Sequence, residues 1–423
     1  MDRDRTNDAQ GSEPWALLAS QSGRKTKVSE RSRCTQRVPF LIALLLACSA
    51  AEHSVTSAVV FTDAADAAGL TYFGGTEGEP VVADLTGDGL VDLIPPIHGN
   101  YWSVMVNQGD GTFKPTSSII PFEKRDRHGC VAANFNGQLG VVCAIGACKG
   151  ATTCEKQNEL WLRTGDGPFA DFGTAWGIGD RLGRARHFLA LNANDDDRPD
   201  LALANEISPS EQSFSKLFLN GGSRFNEVAD SPIRRQIKGA ECVAASPSAD
   251  LLLFCRKTGV FAYKNQGGGT FTDITASVPY RNVPSRDIEF ADLDGVGGRN
   301  DLIIVSQMAL HLWLNGQGVF PTRRYALQEG RDVAVCGRHV YVVQGDNGDY
   351  PDIMYRNDGT GTLTKAAAPL PRAALGNGDI ATCVPNWDGS GGLAILVTNG
   401  KFGGVGDAEH LARRGPTQLI TIE

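Results

Sequence analysis

A short phrase recurs along this chain: a polar residue, one or more Gly residues, and then an aromatic or apolar residue. It is found as NQGDGTF at 107–113, RTGDGPF at 163–169, NGGSRF at 220–225, NQGGGTF at 265–271, NGQGVF at 315–320 and NDGTGTL at 357–363. The closing residues are separated by 56, 56, 46, 49 and 43 positions. A period near 50 residues, built from short β-rich units, indicates a repeat architecture.

Each unit contains short apolar runs bounded by Gly, Asn and Asp, and such runs are typical of strands. The run that opens each unit is predicted at 80–83, 130–133, 187–191, 242–245, 288–291, 332–335 and 380–384. The seventh unit lacks a fourth strand, and residues 59–63 have the form of that missing strand. The sequence therefore predicts an all-β, seven-bladed β-propeller over residues 58–423, closed by an N-terminal strand that completes the last blade.

The first part of the chain differs in composition from the repeats. Residues 1–38 are rich in Lys and Arg and predict a disordered extension. Residues 39–51 form an apolar run followed by small residues, which is typical of a secretory signal cleaved after Ala50 or Ala51. We therefore expect a secreted mature chain without membrane insertion; the alternative is an anchor through residues 39–60.

The charge balance narrows the choice of partners. The chain has 40 Lys and Arg residues against 48 Asp and Glu residues, a formal net charge of −8. Nucleic acids and anionic membranes are therefore poor partners, whereas an acidic surface suits cations.

The cysteines follow a regular spacing within the repeats. Two pairs, Cys130 with Cys143 and Cys242 with Cys255, join the first strand of a unit to the next apolar strand. If these strands form hairpins, each pair lies at a distance that a disulfide can bridge. The remaining candidates are Cys148 with Cys154, which bracket a loop, and Cys336 with Cys383, which occupy the same strand of neighbouring units. Buried free thiols are the alternative for a chain in a reducing compartment.

Two loops between first and second strands carry oxygen-bearing residues at alternate positions. The first loop offers Asp84, Thr86, Asp88, the Leu90 carbonyl and Asp92; the third-blade loop offers Asn192, Asn194, Asp196, the Arg198 carbonyl and Asp200. Alternate placement turns such oxygens inward around one hard cation. An EF-hand is excluded because position 12 is Pro95 or Leu203, not Glu. We expect Ca²⁺ in both loops; the alternative is a loop held by its own Asx turns.

Three other loops match this pattern less closely. The fifth-blade loop has Asp292, Asp294 and Asp301 with one extra residue, and it is a third candidate site. The seventh-blade loop has Asn386 and Asp388 but Ala394 at the last position. The second-blade loop offers Asn134 and Asn136 and no carboxylate.

These loops and turns resemble the FG-GAP/VCBS repeats of integrin α-subunit propellers and of the cartilage acidic protein family. The resemblance rests on DLTGDGLVDLI at 84–94, NANDDDRPDLALAN at 192–205 and ADLDGVGGRNDLIIV at 291–305, together with the recurring turns. It implies calcium on one face of the propeller and a ligand on the other face. It does not identify that ligand.

The sequence shows no catalytic motif such as a His-Glu-x-x-His, a Gly-x-Ser-x-Gly or a P-loop. Arg127, Arg186, Arg286 and Arg331 stand at the start of first strands, where they form a charged pocket for an anionic or sugar ligand. The alternative is that Arg286 and Arg331 pair with acidic neighbours such as Asp287 and Asp332 and hold blades together. Loops 122–127 and 206–212 and Trp387 are candidate contact elements. The expected function is a monomeric, secreted scaffold that binds an extracellular protein or glycan and is not an enzyme. The alternative is a carbohydrate-active hydrolase or lyase.

Overall fold

The strands of this protein are short because each apolar run ends at a Gly, Asn or Asp cluster that favours a turn. The computed structural model describes residues 59–70, 78–95, 102–146, 157–163, 165, 167–206, 213–234, 240, 242–296, 301–315, 321–345, 350–371, 378–399 and 417–422. Within these residues the strands form seven antiparallel sheets of four strands each. The protein is a seven-bladed β-propeller, as the repeats predict.

The strands of the first four blades follow chain order. Blade 1 has β2 (Val81–Ala83), β3 (Asp92–Ile94), β4 (Val104–Asn107) and β5 (Phe113–Thr116). Blade 2 has β6 (Arg127–Phe135), β7 (Gln138–Ile145), β8 (Glu159–Arg163) and β9 (Phe169–Asp171). Blade 3 has β10 (Ala185–Leu191), β11 (Asp200–Asn205), β12 (Lys216–Asn220) and β13 (Phe225–Glu227). Blade 4 has β14 (Val243–Ala245), β15 (Leu251–Arg256), β16 (Gly259–Asn265) and β17 (Phe271–Asp273).

The remaining blades repeat this arrangement, and the last one also uses the first strand of the chain. Blade 5 has β18 (Asp287–Ala291), β19 (Asp301–Ser306), β20 (Ala309–Trp313) and β21 (Arg323–Ala326). Blade 6 has β22 (Gly330–Cys336), β23 (His339–Gln344), β24 (Ile353–Asn357) and β25 (Leu363–Lys365). Blade 7 has β26 (Gly378–Pro385), β27 (Leu393–Asn399), β28 (Gln418–Ile422) and β1 (Phe61–Asp63). The helical segments among the described residues are α1 (Ala65–Ala68) and the 3₁₀ turn Thr275–Ser277.

The ring is closed by β1, which pairs with the C-terminal strand β28. Phe61 lies opposite Ile422 and Asp63 lies opposite Ile420. This confirms the predicted closure, which removes two open sheet edges from the molecule. Among the described residues no helix has the length and apolar character required to span a bilayer.

The apolar core is divided among the boundaries between blades. Seven buried clusters are found in the described residues, and each contains side chains from two adjacent blades. The aromatic residue that closes the recurring phrase enters these clusters: Phe113, Phe169, Phe225 and Phe271 are each at most 4% exposed. Burying one such side chain contributes roughly 1.5–3 kcal/mol. The repeated Phe is therefore the residue that packs one blade on the next.

Three disulfides lie within the propeller. Cys130–Cys143 joins β6 to β7, and Cys242–Cys255 joins the start of blade 4 to β15. Cys336–Cys383 joins blade 6 to blade 7. These pairings confirm three of the four expected bridges; the fourth, between Cys148 and Cys154, lies outside the described residues, as does the signal region at 39–51.

The antiparallel strand order divides the connections between two faces. First-to-second strand loops and third-to-fourth strand turns lie on one face, named here the acidic face because it carries loops 84–92, 192–200 and 292–301. Second-to-third strand connections and the links between blades lie on the opposite face.

Candidate functional site

The last Asp of each acidic loop is buried at the start of a second strand. Asp92, Asp200 and Asp301 are 0% exposed. In blade 1, Oδ2 of Asp92 accepts hydrogen bonds from the backbone N–H groups of Leu85 and Thr86, at 2.9 and 3.0 Å. Its Oδ1 accepts the N–H of Asn107 at 3.0 Å, so one carboxylate ties the loop to the third strand of its own blade.

Blades 3 and 5 repeat these contacts. Asp200 accepts the N–H groups of Ala193 at 2.8 Å and Asn220 at 2.7 Å. Asp301 accepts the N–H groups of Leu293, Asp294 and Asn315 at 2.7, 3.2 and 2.7 Å. The residue predicted as the last metal ligand therefore also holds the backbone of its loop in place.

Burial controls the ionisation of these three carboxyls. Desolvation raises the pKa of Asp92 and of Asp301, although backbone N–H donors oppose the increase. For Asp200, desolvation raises the pKa to about 6. A cation held beside such a group would favour its ionised form, so a cation and a proton would compete for the same carboxylate.

The first-blade loop is closed by Asp84. Its carboxylate accepts the N–H groups of Gly87 at 2.6 Å, Asp88 at 3.1 Å and Gly89 at 2.8 Å. The two glycines have φ of 84° and 87°, in the left-handed region that favours Gly. This is the Asx-turn arrangement that was the alternative to metal, and it positions the Asp84 and Asp92 carboxylates by bonds to the loop backbone.

The third-blade loop has the same backbone with different residues. Asp195 and Asp197 adopt φ of 62° and 59° where blade 1 has glycines. The side-chain oxygens of Asn192 and Asn194 are buried and accept no hydrogen bond from any described residue. Because buried oxygens are normally paired, these two are free to take an electropositive ligand.

Asp196 already has a cationic partner in this loop. Its Oδ2 accepts from the guanidinium of Arg198 and its Oδ1 accepts the Arg198 N–H at 3.1 Å. Burial alone would raise the pKa of Asp196, but these bonds and one from Asn194 lower it overall. A divalent ion would therefore have to displace the Arg198 side chain from Asp196.

The fifth-blade loop brings three carboxylates together. One oxygen from each of Asp292, Asp294 and Asp301 lies within 4.8 Å of the other two. It is the one such group among the described residues, and Oδ2 of Asp294 is buried without a described hydrogen-bond partner. Carboxylate oxygens at this spacing fit a hard divalent cation such as Ca²⁺. The loop with an extra residue thus has the tightest carboxylate cluster of the three.

The seventh- and second-blade loops are held by local bonds. In blade 7, Asn386 Oδ1 accepts the N–H of Gly391 at 2.7 Å, and Asp388 accepts the Ser390 hydroxyl at 2.6 Å. In blade 2, Asn136 donates to the carbonyl of Gly222 in the turn of the next blade. Neither loop gathers three acidic side chains.

The Asn of the recurring turn has a role that the sequence pattern did not reveal. The side-chain amides of Asn265 and Asn357 donate to the carbonyls of Ala193 and Leu293, at 3.1 and 2.8 Å, in the acidic loop of the preceding blade. Asn107 makes the same bond to Trp387 at 3.0 Å. Each turn therefore fixes the acidic loop beside it, which explains why Asn recurs where a turn alone requires only Gly.

Trp387 lies at one of these contacts between a turn and the loop of the preceding blade. It is half-buried and packs against the cluster between blades 7 and 1. Trp387 is therefore a partly exposed packing residue at the boundary between blades 7 and 1.

On the opposite face, the arginines of blades 2 and 3 are neutralised by glutamates. Arg127 is 0% exposed and forms a two-point ion pair with Glu159, at 2.6 and 2.9 Å, and Arg125 contacts the same carboxylate at 2.9 Å. Arg184 and Arg186 both contact Glu206.

Arg186 also links blades 2 and 3 through a histidine. Its Nη1 lies 3.0 Å from Nε2 of His128, which is almost fully buried. Arg127 and Arg186 are therefore both paired with glutamates that lie later in the chain.

Two buried carboxyls join the first strands of blades 5, 6 and 7. Asp287 accepts the N–H of Val333 in blade 6 at 3.2 Å, and Asp332 accepts the N–H of Ala381 in blade 7 at 2.7 Å. Desolvation and then the charge of Glu79 raise the pKa of Asp287 to about 7. Desolvation and then Asp287 raise the pKa of Asp332 well above its ordinary value. The two aspartates do not serve as ion-pair partners of Arg286 in the described residues; they bond to the next blade instead.

Comparisons with known proteins agree with the fold. BP39L lectin from Burkholderia pseudomallei matches 83% of this chain and 100% of its own at 14% identity, with a TM-score of 0.52. An Agrocybe aegerita lectin that recognises non-reducing terminal N-acetylglucosamine matches 71% of this chain and 81% of its own at 18% identity, with a TM-score of 0.44. A Lactobacillus plantarum protein matches 71% of this chain and 87% of its own at 13% identity, with a TM-score of 0.44.

The similarity to BP39L lectin is one of fold alone at that identity, and the other two carry no further argument. No protein-family profile matches the sequence. No curated protein matches it either.

Proposed function

We propose that this protein is a secreted, calcium-binding β-propeller that serves as a rigid scaffold for binding an extracellular protein or glycan. The observation that carries the proposal is the set of disulfides that cross-link the propeller. Cys336–Cys383 links blade 6 to blade 7, and two further disulfides cross-link the first and second strands within blades 2 and 4. Disulfides persist in oxidising compartments, and a locked ring presents its loops in one arrangement.

The acidic face supports the calcium part of this proposal. Its donor set consists of oxygen atoms, and Asn192, Asn194 and Asp294 each contribute a buried oxygen without a described partner. The buried last carboxylates are held in place by backbone N–H groups, so the loops are preorganised before an ion arrives. Preorganised loops bind an ion with a smaller entropy cost.

The calcium proposal is tested by the variants Asp294→Ala, Asp196→Ala and Asp88→Ala. Ca²⁺ at about 100 times its Kd would stabilise the folded protein by about 2.7 kcal/mol. Each variant should lose that part of the stabilisation that its own loop contributes, and should lose little when a chelator is present. Thermal unfolding in calcium and in chelator measures both losses. Asp110→Ala, at an exposed carboxylate in a neighbouring turn, is the matched control. Equal losses in both conditions would show that the loops hold no ion.

Ligand recognition is tested separately on a glycan array and by capture from extracellular material. The same protein after reduction of its disulfides is the control, because it keeps the sequence and composition but has lost the covalent cross-links of the propeller. Saturable binding by the oxidised form and weaker binding by the reduced form are expected. Absence of any bound glycan or protein would reject the scaffold function.

A catalytic function is the second candidate, and one observation favours it. Asp287 and Asp332 form a buried carboxyl pair whose pKa values are raised by desolvation, and a general acid requires a raised carboxyl pKa. Both groups also accept backbone N–H bonds from the next blade, and this structural role accounts for their burial. Release of product from a polysaccharide panel, abolished in Asp287→Asn, would establish a hydrolase or lyase instead of a scaffold.

A further inference from the structure

One end of blade 4 gathers basic side chains on the opposite face. The hairpin of β15 and β16 turns at Lys257 and Thr258, with Arg256 paired to Gly259. The link from blade 4 to blade 5 folds against this turn, because Val260 donates its N–H to the carbonyl of Arg281 at 3.0 Å. Ser285 likewise donates its N–H to the carbonyl of Arg256 at 3.1 Å. These bonds bring four basic residues of two segments to one place.

We name Arg256, Lys257, Arg281 and Arg286 the blade 4 basic cluster. Lys257 and Arg281 are exposed, and Arg256 and Arg286 are half-buried. The guanidinium of Arg256 lies 4.2 Å from the ring centroid of Phe261, so a cation–π contact holds the charge in position. Its Nε has no hydrogen-bond partner among the described residues.

The three arginines of this cluster differ from the arginines of blades 2 and 3 on the same face. There, Glu159 neutralises Arg125 and Arg127, and Glu206 neutralises Arg184 and Arg186. In the described part of the chain, no ion pair is formed by Arg256, Arg281 or Arg286.

Two acidic side chains near the cluster in the chain accept backbone hydrogen bonds. Asp273 accepts the N–H of Thr275 at 2.9 Å. Asp287 is turned toward Val333 and Asp332 in blade 6. The cluster therefore presents three arginines without a described ion pair, on a chain whose formal net charge is −8. Such a local field attracts anions to one part of an otherwise acidic protein.

We propose that the blade 4 basic cluster binds an anionic polysaccharide that carries sulfate or carboxylate groups. This inference deepens the proposed scaffold function and rests on it. Arginine presents a planar set of donors that matches the oxygens of such groups. The large exposed apolar residues of the described chain, Val60, Val296, Met308 and Tyr350, all lie outside the cluster. A protein partner normally needs a buried aromatic or aliphatic anchor, so a charged glycan fits this surface better.

The experiment compares the intact protein with Lys257→Ser/Arg281→Ser on immobilised heparin. Both positions are exposed, so the double variant should fold, and an unchanged thermal midpoint checks this. We expect its affinity to fall by about tenfold and its salt dependence to weaken, because two counterion-releasing contacts are lost. Lys114→Ser/Lys264→Ser removes the same charge from two exposed lysines outside the cluster and should bind heparin as the intact protein does.

Three further probes separate the outcomes. Desulfated, N-acetylated heparin should bind more weakly than heparin. Equal retention of single-stranded DNA or of a polyglutamate peptide would reject a polysaccharide as the ligand. Equal affinity of the two double variants, or no retention of the intact protein, would overturn the inference. In that event, binding of other glycans or proteins in the array and capture experiments would leave the scaffold function standing.

Discussion

The carboxyl pair between blades 5 and 6 makes the stability of this propeller depend on pH in a defined direction. Desolvation raises the pKa of Asp287 from its ordinary 3.8 to about 7, with the charge of Glu79 as the next cause. Asp332 lies on the neighbouring strand and is affected by Asp287, Glu79 and Glu289. Glu79, Glu289 and the mutual charge of the pair all favour retention of a proton.

The direction of the pH dependence of stability follows from proton binding. The folded protein binds the proton of Asp287 more tightly than the unfolded chain does. The resulting stabilisation is complete below pH 3.8 and is lost as the pH rises toward about 7. The difference between these pKa values corresponds to a change in the free energy of unfolding on the order of 4 kcal/mol, at 1.36 kcal/mol per pKa unit. Because the two aspartates titrate together, this value belongs to the pair.

The perturbation is Asp287→Asn, which keeps an oxygen to accept the N–H of Val333 and removes the titration. Urea unfolding is measured for both proteins at about pH 4.5 and about pH 8, inside and above the titration window. The intact protein should lose more stability than the variant between these two conditions.

Asp110→Asn is the control of opposite sign, because hydrogen bonds from Thr112 lower the pKa of Asp110. The contribution of Asp110 is present above its ordinary pKa and is lost as the pH falls. Parallel curves for the intact protein and Asp287→Asn would refute the reasoning.

Three other predictions concern a disulfide, a loop glycine and a contact between blades. Peptides that contain Cys336 and Cys383 should remain linked in a non-reducing digest, and alkylation of both thiols before reduction would contradict the bridge. Gly89→Ala should lower the free energy of unfolding by about 1 kcal/mol. Its φ is 87° and an added Cβ would meet no atom within 4 Å, so the backbone conformation alone is strained; an unchanged denaturation midpoint would contradict this. Asn265→Ala should cost about 0.5–1.5 kcal/mol because the Ala193 carbonyl loses this donor from the next blade but keeps the N–H of Gly269. The exposed neighbour variant Gln266→Ala is its control in thermal unfolding, and equal midpoints would contradict the role of Asn265.

Part of the candidate site was predictable because it depends on local spacing. Alternating oxygens in loops 84–92 and 192–200 identify the loops, and the buried last aspartates lie where the pattern places them. The spacing did not predict which loop brings its carboxylates closest together. Asp292, Asp294 and Asp301 form the tight carboxylate cluster although an extra residue separates them, since the fold of the loop sets these distances. The pairing of Arg198 with Asp196 also depends on side-chain directions that spacing does not specify.

The number of blades, the closure by the N-terminal strand and the cysteine pairing within hairpins could all be read from the chain, because each follows from a repeated period and from neighbours along it. Which groups meet across blade boundaries depends instead on how the sheets pack. The Arg186 guanidinium contacts the His128 ring from 58 positions away, and Asn107 reaches Trp387 from 280 positions away. Contacts of this kind arise when sheets pack around a ring, and the linear order of residues carries no record of their distances.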